Sequence, residues 1–124
     1  MRFVNRRRFT IEDMDLPFEI APQELKAKLD AGEVVHLIDV RQPVEYQTAK
    51  IENSELIPMR SVPGELDKLE QKAESGTLIV ICHHGVRSLQ VVGWLREQGV
   101  QACQSLAGGI DMWSLIVDRS VSRY

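Results

Sequence analysis

The sequence predicts an α/β domain built on a parallel sheet with helices on both faces. Three observations carry the prediction. Apolar runs of strand length alternate with helical segments along the chain, and the links between them are short. Glycine or proline stands at most boundaries, where a helix must start or stop. The most apolar run, "TLIVIC" at 77–82, lacks polar alternation, as expected of a strand covered on both sides. A chain of 124 residues has room for one such domain and no second.

Residues 1–17 read as an N-terminal extension that ends at Pro17. Its Arg2, Arg6, Arg7 and Arg8 are balanced by Glu12, Asp13 and Asp15, which suits a solvated arm. "FEIAPQELKAKLDAG" then supplies a short strand over Phe18 to Ile20 and a helix with Pro22 in its first turn. Leu25 and Leu29 share one face of that helix, and Gly32 ends it. "VVHLIDV" is a compact strand, "PVEYQTA" a helical turn opened by Pro43, and "SELIPM" another brief strand. "SVPGELDKLEQKAESG" sets Leu66 and Leu69 among polar residues, the pattern of a surface helix, and Gly76 stops it.

After "TLIVIC", the segment "RSLQVVGWLREQG" reads as a helix ended by Gly99. Either Leu89, Val92 and Leu95 or Val91 and Leu95 face the sheet. "ACQSLAGG" is the last strand and "IDMWSLIV" the last helix, with 118–124 a C-terminal tail. In sheets of this kind ligands gather beyond the carboxyl ends of the strands. Cys82, Asp39 and the Gly108–Gly109 pair all fall there.

Composition narrows the function. Apolar residues at 44% and charged residues at 27% argue against general disorder. A net charge of −3 does not favour nucleic-acid binding. The two cysteines, Cys82 and Cys103, form neither a CxxC nor a zinc pattern, so no metal or other cofactor is expected. No apolar run reaches membrane-spanning length, and no apolar segment follows the basic start. The expected setting is cytoplasmic, with reduced thiols and no nucleic-acid or membrane partner.

The chemistry concentrates in "CHHGVRS", residues 82–88. A loop between strand and helix must turn sharply, and Gly85 tolerates the dihedrals this needs. Wrapped round a thiol at a helix N-terminus, it points backbone N–H groups inward. Those donors, the helix dipole and the Arg87 guanidinium favour negative charge on the sulfur. Such a thiolate can accept a sulfur atom as a persulfide, or attack phosphate to give a phosphocysteine.

This loop resembles the active-site loop of the rhodanese domains, the sulfurtransferases. "APQELKAKLDAG", "LIDVRQPVEY", "LIVICHHGVRS", "WLREQGV" and "LAGGIDMWS" fall in that family's order and spacing, over roughly residues 18–117. The resemblance implies a five-stranded parallel sheet flanked by helices, spanning a rhodanese-like domain at 18–117. It also implies Cys82 as the sulfur-accepting nucleophile, in a pocket formed by His83, His84, Gly85, Val86 and Arg87. Phosphatases of the same architecture have a C-x5-R loop, whereas Cys82 to Arg87 is C-x4-R, a smaller ring better matched to one sulfur atom. The loop also lacks an acid to protonate a leaving alkoxide. The expected activity is therefore transfer of a sulfane sulfur from thiosulfate or a persulfide to cyanide or a thiol. The alternatives are a phosphatase of the same fold and a non-enzymatic persulfide relay or binding module. "AKIENSELIP" departs from the family pattern at Ala49, Lys50, Asn53 and Ser54, which bears on local packing rather than on the thiol.

The remaining residues divide between site and scaffold. His83 and His84 are adjacent in a tight turn and cannot both face the sulfur; they are expected at the pocket rim, touching substrate or solvent. Arg87 either binds the anionic end of a donor or bridges to a carboxylate and braces the loop. Ser88 reads as the helix N-cap, with steering of the persulfide as its second role. Asp39, Arg41 and Glu45 form a structural trio in which Arg41 and Glu45 pair across the Pro43 turn. Cys103 reads as a buried inert thiol, with a disulfide to Cys82 as the minority reading. Trp94 and Trp113 belong to core or interface, and His36 to a strand.

Overall fold

In a computed structural model, residues 16–124 are described, so the basic arm read at 1–15 lies outside the described residues. The five strands are β1 (Glu19–Ile20), β2 (Val35–Asp39), β3 (Glu55–Leu56), β4 (Thr77–Ile81) and β5 (Cys103–Leu106). They form one sheet in the order β1-β5-β4-β2-β3, with every neighbouring pair parallel. The helices are α1 (Pro22–Asp30), α2 (Pro43–Thr48), α3 (Leu66–Ser75), α4 (Val86–Glu97) and α5 (Gly109–Ile116). Two 3₁₀ turns, Met59–Ser61 and Pro63–Glu65, precede α3, so the helix read at 61–76 starts later than its sequence suggests. The expected α/β architecture is the observed one.

Period-2 alternation on β4 divides the core. Leu78 and Val80 enter one apolar cluster with Val91, Val92 and Leu95 of α4 and Leu69 of α3. Ile79 and Ile81 enter the opposite cluster with Leu25 of α1 and Ile110 and Trp113 of α5. Covered on both faces, β4 has no need of polar alternation. Leu89, one of the residues expected to face the sheet, is instead 38% exposed. The inward face of α4 runs through Val91, Val92 and Leu95, and Ser88 takes the buried position nearest the loop.

The chain leaves β4 toward β5 on one side and leaves β2 toward β3 on the other. The carboxyl ends of the two central strands therefore form the switch point of the sheet, where ligands bind in folds of this kind. Cys82 follows β4, and Asp39, Val40 and Arg41 follow β2.

Asp39 and Arg41 are both fully buried and fix the end of β2. Arg41 donates from Nε to Oδ1 at 2.9 Å and from Nη2 to Oδ2 at 2.7 Å. Its Nη2 also donates to the Ala49 carbonyl at 2.6 Å. Burial disfavours the guanidinium charge, but hydrogen bonds to Asp39 and Tyr124 outweigh it and hold the Arg41 pKa above its ordinary value. The segment 49–58, which departs from the family pattern, is tied down at particular positions. Ile51 is buried, Asn53 adopts φ +68°, and the Tyr46 hydroxyl donates to the Ser54 carbonyl at 2.6 Å.

Candidate active site around Cys82

Cys82 ends the central strand, and its side chain is almost wholly enclosed, at 1% exposure. The loop then turns through Gly85, whose φ of +96° lies in the left-handed region that disfavours side chains. A Cβ at Gly85 would also lie 3.1 Å from the Gly108 nitrogen. Two backbone donors reach the sulfur: Gly85 N–H at 3.0 Å and Ser88 N–H at 3.3 Å. The Ser88 hydroxyl lies 3.2 Å from Sγ and 2.7 Å from the Ser105 hydroxyl.

The carbonyls of the loop are drawn the other way. Ile110 N–H bonds the Cys82 carbonyl at 2.8 Å, and Asp111 N–H bonds that of His83 at 3.1 Å. The first turn of α5 thus uses its free amides to hold the loop, which supplies their missing partners. Such close approach needs glycine. A Cβ at Gly109 would stand 2.4 Å from the His83 oxygen and 2.5 Å from the Cys82 oxygen.

Ser88 is not the helix cap. Helix α4 begins at Val86 with Gly85 as its N-cap, three residues before the position a Ser88 cap would take. Ser88 instead lies in the first turn, fully buried beneath the sulfur. The Arg41–Glu45 pairing is also corrected. Arg41 reaches only the backbone oxygen of Glu45, at 3.3 Å. The Glu45 carboxylate belongs to Arg87, which donates from Nη1 and Nη2 to Oε1 and Oε2 at 2.8 and 2.9 Å. The reason is that Asp39, two residues from Arg41 on the same strand end, already occupies the Arg41 fork.

Charge follows from this pairing. The bond to Arg87 holds Glu45 down at about 2 against a smaller opposing effect of burial. The same bond pushes Arg87 up, and the Cys82 sulfur adds to the effect. Arg87 thus bridges to a carboxylate in this structure.

The two histidine rings stack on each other, with centroids 4.0 Å apart. His84 points outward, 4.0 Å from Asp111 Oδ2, and Val86 is also exposed. The His83 ring stacks on Tyr124, with centroids 3.8 Å apart and planes 7° from parallel, and its Nε2 is buried without a partner. The Tyr124 hydroxyl donates to Glu45 Oε2 at 2.8 Å and accepts from Arg41 Nη1 at 2.8 Å. Sequence reasoning did not find Ser105 or Tyr124. Ser105 carries no motif, only its place on β5 beside β4. Tyr124 lies outside every repeating pattern, and only its aromatic ring in an otherwise polar stretch marks it.

Comparisons with known proteins agree with this architecture. The Rhodanese-like domain model matches residues 21–115. YtwF of Bacillus subtilis is 34% identical over 95 residues, covering 77% of this chain and 88% of YtwF. A sulfurtransferase of Allochromatium vinosum is 29% identical over 96 residues, covering 77% and 87%. The crystal structure of a rhodanese-like domain protein from Staphylococcus aureus superposes with a TM-score of 0.72 at 30% identity, covering 87% of this chain and 99% of that one. Other relatives are much longer, and the chain spans only 21–37% of their length. Sheet order, the loop after the central strand and a match over most of its length agree: the chain belongs to the rhodanese-like domain family.

Proposed function

We propose that the protein is a sulfurtransferase in which Cys82 carries the sulfur. The observation that supports this most is the pair of backbone donors on one enclosed sulfur, Gly85 N–H and Ser88 N–H. The Ser88 hydroxyl lies 3.2 Å away and is free to donate once the sulfur is a thiolate. Donors fixed in advance stabilise a thiolate and need no reorganisation when charge returns to it. In the first step the Cys82 thiolate attacks the outer sulfur of thiosulfate. The new S–S bond forms as the old one breaks, and sulfite leaves with the electron pair. In the second step cyanide or a thiolate attacks the outer sulfur of the persulfide. Thiocyanate or a new persulfide departs, and the Cys82 thiolate is restored. No oxidant is consumed, and neither histidine is required as a base.

His83, His84, Gly85, Val86, Arg87 and Ser88 would surround the incoming sulfur. A protein-bound persulfide is as suitable a donor as thiosulfate, and a sulfurtransferase name among the relatives supports sulfur rather than phosphate as the group moved. Incubation with thiosulfate and cyanide should yield thiocyanate, and intact mass should show one added sulfur atom, both abolished in Cys82→Ser. Thiocyanate formation that survives Cys82→Ser, or wild-type protein that never gains sulfur, would overturn the assignment.

A further inference from the structure

Resting on the sulfur-transfer reading, we propose that Tyr124 is a gate that sets the size of molecule able to reach Cys82. Its ring lies against His83, the first residue after the thiol. Its hydroxyl binds the carboxylate of Glu45, which holds Arg87 at the loop's far end. One side chain thus links residue 83 to the partner of residue 87, and the thiol at residue 82 is 1% exposed.

The segment that carries Tyr124 is built in two parts. Residues 118–121 are anchored: Val121 packs on the core, the Ser114 hydroxyl donates to its carbonyl, and Ser120 bonds the Asp118 carboxylate through N–H and hydroxyl. Residues 123 and 124 have no such core anchor: Tyr124 is held by its ring stack and by hydroxyl bonds to Arg41 and Glu45, all of which opening would exchange for water. Arg123 pairs with Asp111 at 2.8 Å on the surface, and Tyr124 is itself 42% exposed. A surface ion pair is worth little, and moving a half-exposed ring uncovers little apolar area. Tyr124 can therefore leave the loop while 118–121 stays in place. Closed, the gate hinders bulky molecules more than small ions such as thiosulfate and cyanide. Open, it admits a bulky acceptor such as a thiol on another protein.

Access is measured apart from sulfur transfer by alkylating Cys82 with iodoacetamide and with a polyethylene-glycol maleimide, and mapping the product by mass. The ratio of the bulky to the small reagent's rate cancels changes in sulfur reactivity. Loss of one stack and two charge-assisted hydrogen bonds should raise that ratio at least roughly tenfold in Tyr124→Ala. Tyr124→Phe, which keeps the ring and loses the tether, should give a smaller rise. So should Arg123→Ala, which loosens the segment without touching the loop. A ratio within about twofold of wild type in Tyr124→Ala overturns the gate, because differences of that size arise even between uncoupled sites. A protein that never gains sulfur yet shows the rise would sink the sulfur-transfer reading and keep the gate; persulfide formation with an unchanged ratio would do the reverse.

Discussion

Arg87 and Glu45 meet fork to fork, with paired bonds of 2.8 and 2.9 Å between the first turn of α4 and the short helix after β2. The contact ties together the segments that follow β4 and β2, the two central strands. It is also partly shielded, with the Glu45 side chain at 17% exposure and that of Arg87 at 33%. Bidentate geometry and shielding raise such a pair above an ordinary surface bridge.

The first prediction concerns pH. Glu45 ionises at about 2 in the folded protein, below its ordinary 4.5. A depressed carboxylate stabilises the fold fully above its unfolded value, and that stability is lost as pH falls toward 2. Glu45→Gln should therefore cost about 1–2 kcal/mol at pH 7. The gap from wild type should close near pH 2. Urea unfolding of both proteins at the two pH values checks this, and a gap that persists in acid refutes it. Thiocyanate turnover at pH 7 should fall about tenfold, since Arg87 then loses its brace.

Ser88 supplies the second. Its hydroxyl sits between Sγ and the Ser105 hydroxyl, so a short relay runs from β5 to the sulfur. Ser88→Ala removes one of three donors and should slow turnover about tenfold, at the level of one hydrogen bond to a charged group. Ser105→Ala leaves the Ser88 hydroxyl free to serve the sulfur and should cost less. If Ser105→Ala proved the more damaging, the relay would be wrong.

Much of this could be read in the chain beforehand, and the limits are physical. Strand β4 was legible because Leu78 to Ile81 are buried on both faces and show as an unbroken apolar run. The loop was legible because Gly85 and the Gly108–Gly109 pair meet conformational demands few other residues satisfy. Pairing was not. Nothing in sequence separation tells Glu45 to prefer Arg87, 42 positions away, over Arg41, four positions away. That choice depends on Asp39 filling the Arg41 fork, which only the folded strand end reveals. Leu89 failed for a related reason: the helix begins at Val86, which rotates Ser88 inward and Leu89 toward solvent.

Gly109 yields the third prediction. With φ at +62° and two carbonyl oxygens within 2.5 Å of any Cβ, alanine there must push the loop away. The displaced atoms are backbone, so the strain has no flexible side chain to absorb it. Gly109→Ala should destabilise the fold by roughly 2–4 kcal/mol and abolish most turnover. Gly64→Ala, where a Cβ meets nothing, is the control and should change stability by less than about 1 kcal/mol. Comparable losses in both variants would show that the loop does not depend on this close approach.

Cys103 is the other thiol, and its place separates it from Cys82. Cys103 pairs in register with Leu78, four positions before Cys82. At about 3.3 Å per strand residue the two lie roughly 13 Å apart along the sheet. A disulfide allows at most about 7 Å between Cα atoms. Peroxide should therefore give no intramolecular Cys82–Cys103 bond, and tryptic mass mapping would reveal one. Burial pushes the Cys103 thiol up to about 11, and its sulfur donates to the Val100 carbonyl at 3.3 Å. The folded protein then keeps a proton that the unfolded chain releases near 9.0, so stability must fall as pH rises between those values. The loss should be roughly 2 kcal/mol, and Cys103→Val should flatten the slope. An unchanged alkaline slope in that variant would mean that another group sets it.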